Sequence, residues 1–355
     1  PYITAEMQIL SWIDKPVIVL LNQMGKPRTH AEEQADVAAW REAMAPYPFV
    51  KDILPMDAFA RCWVQETALF DSIGRALPAQ MHSTFDTLRD IWTRSRRALY
   101  LSSVDAMARH MWRLLQAHEL VPTPTLKDHL RSFGSQIGLI KTRNEALEDA
   151  QTALSAMAAD SLCSLTDKLI GINGLTGSGV SREILRRMKT DWQMASHSIS
   201  PGPAAAVGAS VGVAGGAAAG AAADMASAGL SLGLGTLLGG IIGAIGGVGA
   251  ATIYNSRHRK EGIDISWSER AAQDFMLESL LLYLAVAHFG RGRGDWQEGE
   301  SPEFWKKAVQ DAMTEQKVSF QAIRKLTPEE GVEQLTRMTD SLLRGVFMQL
   351  YERSI

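Results

Sequence analysis

Between Asp191 and Arg257 the chain carries one formal charge, Asp224. Asp224 divides this segment into two arms rich in glycine and alanine. The first arm places Gly208, Gly212, Gly216 and Gly220 four residues apart, and the second does the same with Gly235, Gly239, Gly243 and Gly247. A spacing of four puts each set on one face of a helix. In water an interior glycine costs a helix about 1 kcal/mol relative to alanine, so each row costs roughly 4 kcal/mol. A sequence that keeps such rows must recover the cost, and close backbone approach between two helices is the gain they offer. The pattern predicts a helical hairpin of glycine-zipper type over residues 201–255, with Asp224 at its tip.

The arms differ in what they can bury. The second, Leu230 to Tyr254, contains Leu237, Leu238, Ile241, Ile242, Ile245 and Val248 among its apolar residues. At 1.5 Å per residue it would reach about 37 Å, enough for a hydrocarbon core of about 30 Å. The first arm is mainly alanine and glycine and would enter a bilayer only paired with the second. Arg182, Arg186, Arg187 and Lys189 precede the segment, and Arg257, Arg259 and Lys260 follow it. Positive charge at both ends favours keeping both ends in the cytoplasm. Trp192 and Tyr254 suit the two interfaces. Membrane lipid is therefore one expected partner. A soluble, tightly packed helix pair and a flexible linker are the alternatives.

The rest of the chain is mostly helical in pattern. Pro16 to Asn22, Pro-Val-Ile-Val-Leu-Leu-Asn, is a continuous aliphatic run and reads as a strand buried on both faces, as in a parallel sheet. Helical character follows at 31–45, a second short strand ending in a loop at 49–59, and a helix at 61–79. Two strands cannot bury both faces of a sheet, so further strands are expected upstream or on a partner. The opening "PYITAEM" lacks an initiator Met and reads as the interior of a helix, which predicts a fragment. Beyond residue 80 no strand is expected. Helices are predicted at 81–119, 125–170, 181–199, 267–289, 302–325 and 328–352. Thr327-Pro328-Glu329-Glu330 supplies an N-cap, a first-turn proline and a capping-box glutamate. "GINGLTGSG", 171–179, reads as a helix break. The expected fold class is thus mainly α: a short α/β remnant over 1–80, then a large helical domain over 81–355 that includes the hairpin.

A formal charge of -3 over 355 residues gives no reason to expect nucleic acid as a partner. Cys62 and Cys163 are too few and too far apart for a disulfide framework or a paired-cysteine zinc site, and they fit a reducing compartment. The histidines, including His82, His110, His118, His129 and His288, have no metal-ligand spacing, so no metal site is expected from them. Cys62 reads as a structural buried thiol. "ESLLLYLAVAHF", 278–289, is apolar but too short to span a membrane and reads as a core helix. Arg89, Arg94, Arg96 and Arg97 read as a solvated helix face.

Residues 15–80 resemble the last third of a Ras-like P-loop GTPase domain. "VIVLLNQMG" stands where those proteins carry a strand and then Asn-Lys-x-Asp, and Asp57-Ala58-Phe59 stands where they carry Ser-Ala-Lys. With "KPVIVLLNQ", "DAFARCWVQE" and the Gly/Ala segment, the chain resembles bacterial GTPases with a C-terminal domain of unknown function, the family numbered 3482. The resemblance implies a membrane-associated GTP-binding protein, cytoplasmic and peripheral or hairpin-inserted at the inner membrane, and a homo-oligomer as one candidate assembly. It implies guanine nucleotide as ligand, with magnesium held by the upstream part, and a base-side site of Asn22, Gln23, Gly25, Asp57 and Ala58. Two positions depart from the family box: Gln23 replaces its lysine and Gly25 its aspartate. A carboxylate accepts two hydrogen bonds from the guanine edge, and Gly25 has none to offer. Asn22 can still tie the loop, and the Ala58 N–H can still meet the guanine oxygen. No Gly-x-x-x-x-Gly-Lys-Ser/Thr occurs in these 355 residues, so they are not expected to hydrolyse GTP alone and no catalytic residue is assigned. The alternative is a non-enzymatic helical membrane or scaffold protein whose α/β remnant binds no nucleotide.

Overall fold

A computed structural model describes residues 2–22, 30–56, 62–122, 136–175, 254–259, 262–288 and 303–351. It is mainly helical with a few short strands. The N-terminal part runs α1 (Tyr2–Ile13), β1 (Val17–Leu21), α2 (His30–Met44), β2 (Val50–Pro55) and α3 (Trp63–Ala76). β1 and β2 pair in parallel, with Val19 opposite Ile53 and Leu21 opposite Pro55, and α2 is the crossover between them. Met7 of α1, Leu21, Val37 and Met44 of α2, and Ile53 bury a small core on one face. The aliphatic run predicted burial on both faces, but only Leu21 is buried and Leu20 is exposed. The reason is pairing: among the described residues β1 has β2 as its only neighbour.

The helical part is built around α4 (His82–Gln116), a single helix of 35 residues. It is followed by β3 (His118–Pro122), α5 (Gln136–Ile172), β4 (Tyr254–Arg259), β5 (Gly262–Trp267), α6 (Glu269–Ala287), α7 (Glu303–Glu315) and α8 (Pro328–Tyr351). The C-terminal half of α4 is buried among α5, α6 and α8, with Val104, Met107, Met111 and Leu114 in the main core. Leu280, Tyr283 and Leu284 of α6 lie in the same core, as expected of 278–289. Tyr100 donates to Asp340 Oδ1 at 2.7 Å, and Arg344 Nε donates to Asp340 Oδ2 at 2.8 Å, tying α4 to α8.

Helix ends follow the residues that cap them. Thr327 N–H donates to Glu330 Oε2 at 3.1 Å, the returning half of the expected capping box of α8. The break at 171–175 is a C-terminal cap: Gly174 has φ 65°, Leu175 N–H reaches Ile170 O at 3.0 Å, and Gly174 N–H reaches Gly171 O at 3.1 Å. That pairing is the Schellman motif, which needs a left-handed residue at the position glycine fills. The helix expected over 302–325 stops at Glu315. Lys317 has φ 50° and the Val318 N–H turns back to Met313 O, so the chain leaves the helix there and makes only a 3-10 turn at Ile323–Lys325.

The expectation of no strand beyond residue 80 is wrong. β3, β5 and β4 form an antiparallel sheet in that order, with Val121 opposite Ile263 and Tyr254 opposite Trp267. Ile263, Ile265 and Trp267 alternate inward while Asp264 and Ser266 stay half-buried on the other side. Tyr254, expected as an interfacial aromatic at the end of the second glycine arm, is the first residue of β4.

Two tests follow from packing. A Cβ on Gly331 would lie 2.0 Å from Trp112 Cζ3, whereas one on Gly171 meets nothing within 4 Å. Overpacking costs about 1–3 kcal/mol, more than the ~1 kcal/mol alanine returns in a helix. Urea unfolding is expected to show Gly331→Ala destabilised and Gly171→Ala unchanged or stabilised by up to about 1 kcal/mol. The second test is pH. Burial pushes His110 and His288 down to about 4. His288 donates Nδ1–H to Leu284 O at 2.6 Å, so its Nε2 accepts from the Tyr351 hydroxyl and the ring is neutral. The unfolded chain binds these protons near pH 6.5, so their stability is present above that pH and lost on falling toward 4. Burial pushes Glu278 the other way, up to about 7, so between 4.5 and 7 acid favours its folded form. Two histidines outweigh one glutamate. Stability is expected to fall from pH 6.5 to 4, and more steeply in Glu278→Gln, measured as urea midpoints.

Candidate functional site

The carboxyl ends of β1 and β2 emerge level with each other. The Met56 N–H donates to Leu21 O at 2.9 Å, so the chain after Leu21 and the chain after Met56 leave from adjacent points. In open α/β sheets ligands bind beyond the carboxyl ends of the parallel strands. Asn22 lies exposed directly after β1. Gln23, Gly25, Asp57 and Ala58 lie outside the described residues. The structure therefore brings together the starts of the two loops on which the expected base-side residues sit.

Asp52 anchors the second of these strands. Its Oδ2 accepts from Ser72 Oγ at 2.6 Å and from Arg75 Nη2 at 2.8 Å, and its Oδ1 accepts from the Ile53 N–H at 2.9 Å. Burial raises the carboxyl's pKa, yet these donors outweigh it and hold the group below the usual range. β2 is thereby pinned to α3, and with it the start of the loop that carries Asp57. Sequence reasoning missed this trio. Its signal was Asp52, which with Lys51 puts charge inside the strand Val50 to Pro55.

Cys62 is the N-cap of α3, and its N–H donates to Gln65 Oε1 at 2.9 Å. The Cys62 thiol is buried and pushed up to about 12 by that burial, which makes it the structural cysteine expected. Cys163 is buried too. Of the histidines, His110 and His288 are core residues, His82 and His118 are exposed, and His129 lies outside the described residues. Among the described residues no cluster of histidine, cysteine, aspartate or glutamate could hold a metal ion. Arg94 and Arg97 are exposed, Arg89 pairs with Asp86, and Arg96 lies 5.5 Å over the Trp92 ring.

Gly208, Gly212, Gly216, Gly220, Asp224, Gly235, Gly239, Gly243 and Gly247 all lie outside the described residues. Their segment leaves after the cap of α5 and returns at β4, and α5 packs on β3 and β5 of the same sheet. Among the described residues no helix is long and apolar enough to cross a membrane.

Comparison with protein families finds a match. Residues 198–342 match the model described as Domain of unknown function (DUF3482). The match begins just before the glycine rows and runs through β4, β5, α6 and α7 into α8. It supports the domain-of-unknown-function part of the resemblance, over that stretch of the chain. Comparison with curated proteins and with solved structures gives no match.

If the Asp52 trio holds β2 to α3, removing the carboxylate strands the buried Ser72 hydroxyl. Asp52→Ala is expected to cost about 1–3 kcal/mol in urea unfolding. Arg75 is two-thirds exposed, so Arg75→Ala is expected to cost less than about 1 kcal/mol.

Proposed function

We propose that residues 1–80 are the base-side part of a P-loop GTPase domain, and that the whole protein is a membrane-associated GTP-binding switch. The observation that carries this reading is the parallel β1–α2–β2 unit with its two loop starts set side by side by the bond from Met56 to Leu21. Asn22 would order the first loop, and the Ala58 N–H would meet the guanine oxygen. The phosphate loop and the magnesium ligands would come from sequence outside these 355 residues. In the proposed switch, nucleotide state moves the loop after β2, and α3 passes the movement to the helical part. α3 suits that role because it meets β2 through Ser72 and Arg75 while Trp63 packs beside Tyr100 of α4, ring centres 6.0 Å apart. The helical part would then change how the glycine hairpin meets a membrane.

A second reading rests on Gly25. Without a carboxylate at that position the loop has no acceptor pair for guanine, which favours a helical membrane or scaffold protein that binds no nucleotide.

Titration of the native protein from its source cell with fluorescent GDP and ADP separates the two. The first reading expects saturable GDP binding, weakened about tenfold by Asn22→Ala and made more selective over ADP by Gly25→Asp, each a change of roughly 1–3 kcal/mol. Binding of neither nucleotide would leave the second reading standing.

A further inference from the structure

Residues 316–326, between α7 and α8, cross the corner where two helices meet the antiparallel sheet. β3 leaves the end of α4 and β5 runs into the start of α6, and the two strands pair with His118 opposite Ser266. The end of α4 and the start of α6 therefore lie side by side. One side chain bridges them. Arg324 Nη1 donates to Leu115 O at 3.0 Å, and Arg324 Nη2 donates to Ser268 O at 3.4 Å. Leu115 O is one of the last four carbonyls of α4, which have no partner within the helix. The bridge needs two donors held in a fixed fork, which arginine has and lysine lacks. Gln116 returns the contact, its Nε2 donating to Arg324 O at 3.2 Å.

The rest of the segment is fastened to α6. Phe320 is fully buried and donates its N–H to Glu269 Oε1 at 2.6 Å, and Gln273 Nε2 donates to Val318 O at 3.0 Å. One group in this corner is left over. Glu269 Oε2 is buried and has no hydrogen-bond partner. Burial disfavours the Arg324 charge and the Glu269 carboxylate supports it, so the two side chains act on each other while the guanidinium directs its donors to neutral carbonyls. A buried, unused acceptor beside a cation with other partners is a second resting place for that cation.

We propose that Arg324 is the pin of a two-position latch. In the present position it bridges α4 and α6 and locks the sheet to the helices. In the other it turns to Glu269 Oε2, lets go of Leu115 O, and lets the sheet open as a unit. Turning makes a charged hydrogen bond and satisfies the unpartnered carboxylate oxygen, but it leaves the Leu115 carbonyl without a partner. These opposed terms keep the two positions close in free energy, which a latch requires. Its place gives it an output. Tyr254 pairs opposite Trp267, the residue before Ser268, so the first strand after the glycine arms enters the fold at the pinned corner. Use of the latch by the nucleotide switch rests on the reading above, while the latch itself does not.

The test is native-state hydrogen exchange of the whole protein without nucleotide, with urea midpoints beside it. Opening of one unit shows as faster exchange in that unit alone. Arg324→Lys keeps the charge and loses the bridge. Amides of β3 and β5 are expected to exchange about tenfold faster or more, the loss of one hydrogen bond from a charged donor, while those of Met107 and Met111 in the α4 core stay unchanged. Glu269→Gln keeps an acceptor for the Phe320 N–H and removes the second resting place. Its β3 and β5 amides are expected to exchange about threefold more slowly, with a urea midpoint at or below the wild type's. A packing role alone predicts the opposite sign, because the substitution weakens a bond of the closed corner. Sheet exchange unchanged in Arg324→Lys, or accelerated equally in the α4 core, would overturn the latch. Sheet exchange unchanged or accelerated in Glu269→Gln would overturn its second position, and this variant decides alone where Arg324→Lys does not fold. No readout here involves nucleotide, so failure of the latch and failure of GDP binding are separate results.

Discussion

Everything in this fold leans on one uninterrupted helix, α4. Its C-terminal half is buried on most sides, with Val104, Met107, Ala108 and Met111 essentially without exposure. Among the described residues its N-terminal half packs mainly on α3. One rod therefore belongs to the main core at one end and supports the junction with the α/β part at the other. The bond from Tyr100 to Asp340 lies where these regimes meet. It sets the rotation of α4 against α8, and that rotation decides which residues go inside and which stay exposed. Donation from Arg344 and Tyr100 outweighs burial and holds the Asp340 carboxyl below the usual range, so the bond keeps its charged acceptor across most of the pH range in which the histidines titrate.

α3 is the mechanical link between the two parts. Ser72 and Arg75, in its C-terminal half, hold Asp52 of β2. Cys62 and Val64, at its start, lie in the main core. A helix fixed at both ends by buried groups moves as a body. A shift in the loop between β2 and α3 would therefore reach α4 without rebuilding either core. The proposed switch requires a connection of this kind, and a rigid two-ended strut provides it more economically than a flexible linker would.

What was legible in the sequence was what local periodicity and caps encode. α2, β2, α3, α6 and α8 begin and end within a few residues of expectation, because each has either a clear apolar period or a cap such as Thr327 with Glu330. The antiparallel sheet was not read. β5 carried a visible alternation at Ile263, Ile265 and Trp267, but β3 begins within two residues of a long helix and β4, Tyr-Asn-Ser-Arg-His-Arg, has no alternation at all. Its strand character comes from pairing with β5, a tertiary effect that outweighs local preference. Lys317 was missed for a related reason: a lysine is not where a left-handed helix stop is expected. Of the candidate site, the strands and their order were legible, while the Asp52 trio that fixes them needed the position of α3, which only packing supplies.

The sheet also bears on the glycine segment. β4 is joined to β5 across two residues, with Arg259 opposite Gly262 in the register. α5 ends in its own cap at Gly174. Both roots are thus fixed by local bonds that do not involve the arms. Closing a loop between fixed roots costs only about (3/2)RT ln n, a few kcal/mol even for a segment this long, and that cost is the same wherever the arms go. The choice among a bilayer, a partner and mutual packing then rests on the arms themselves. Their own terms point in opposite directions. The glycine rows favour close helix contact in any medium, while the leucines and isoleucines of the second arm favour leaving water. In the proposed hairpin, pairing along the glycines would carry the first arm with it into whatever apolar phase the second arm selects. The Ala/Gly arm alone has too little apolar surface to make that choice.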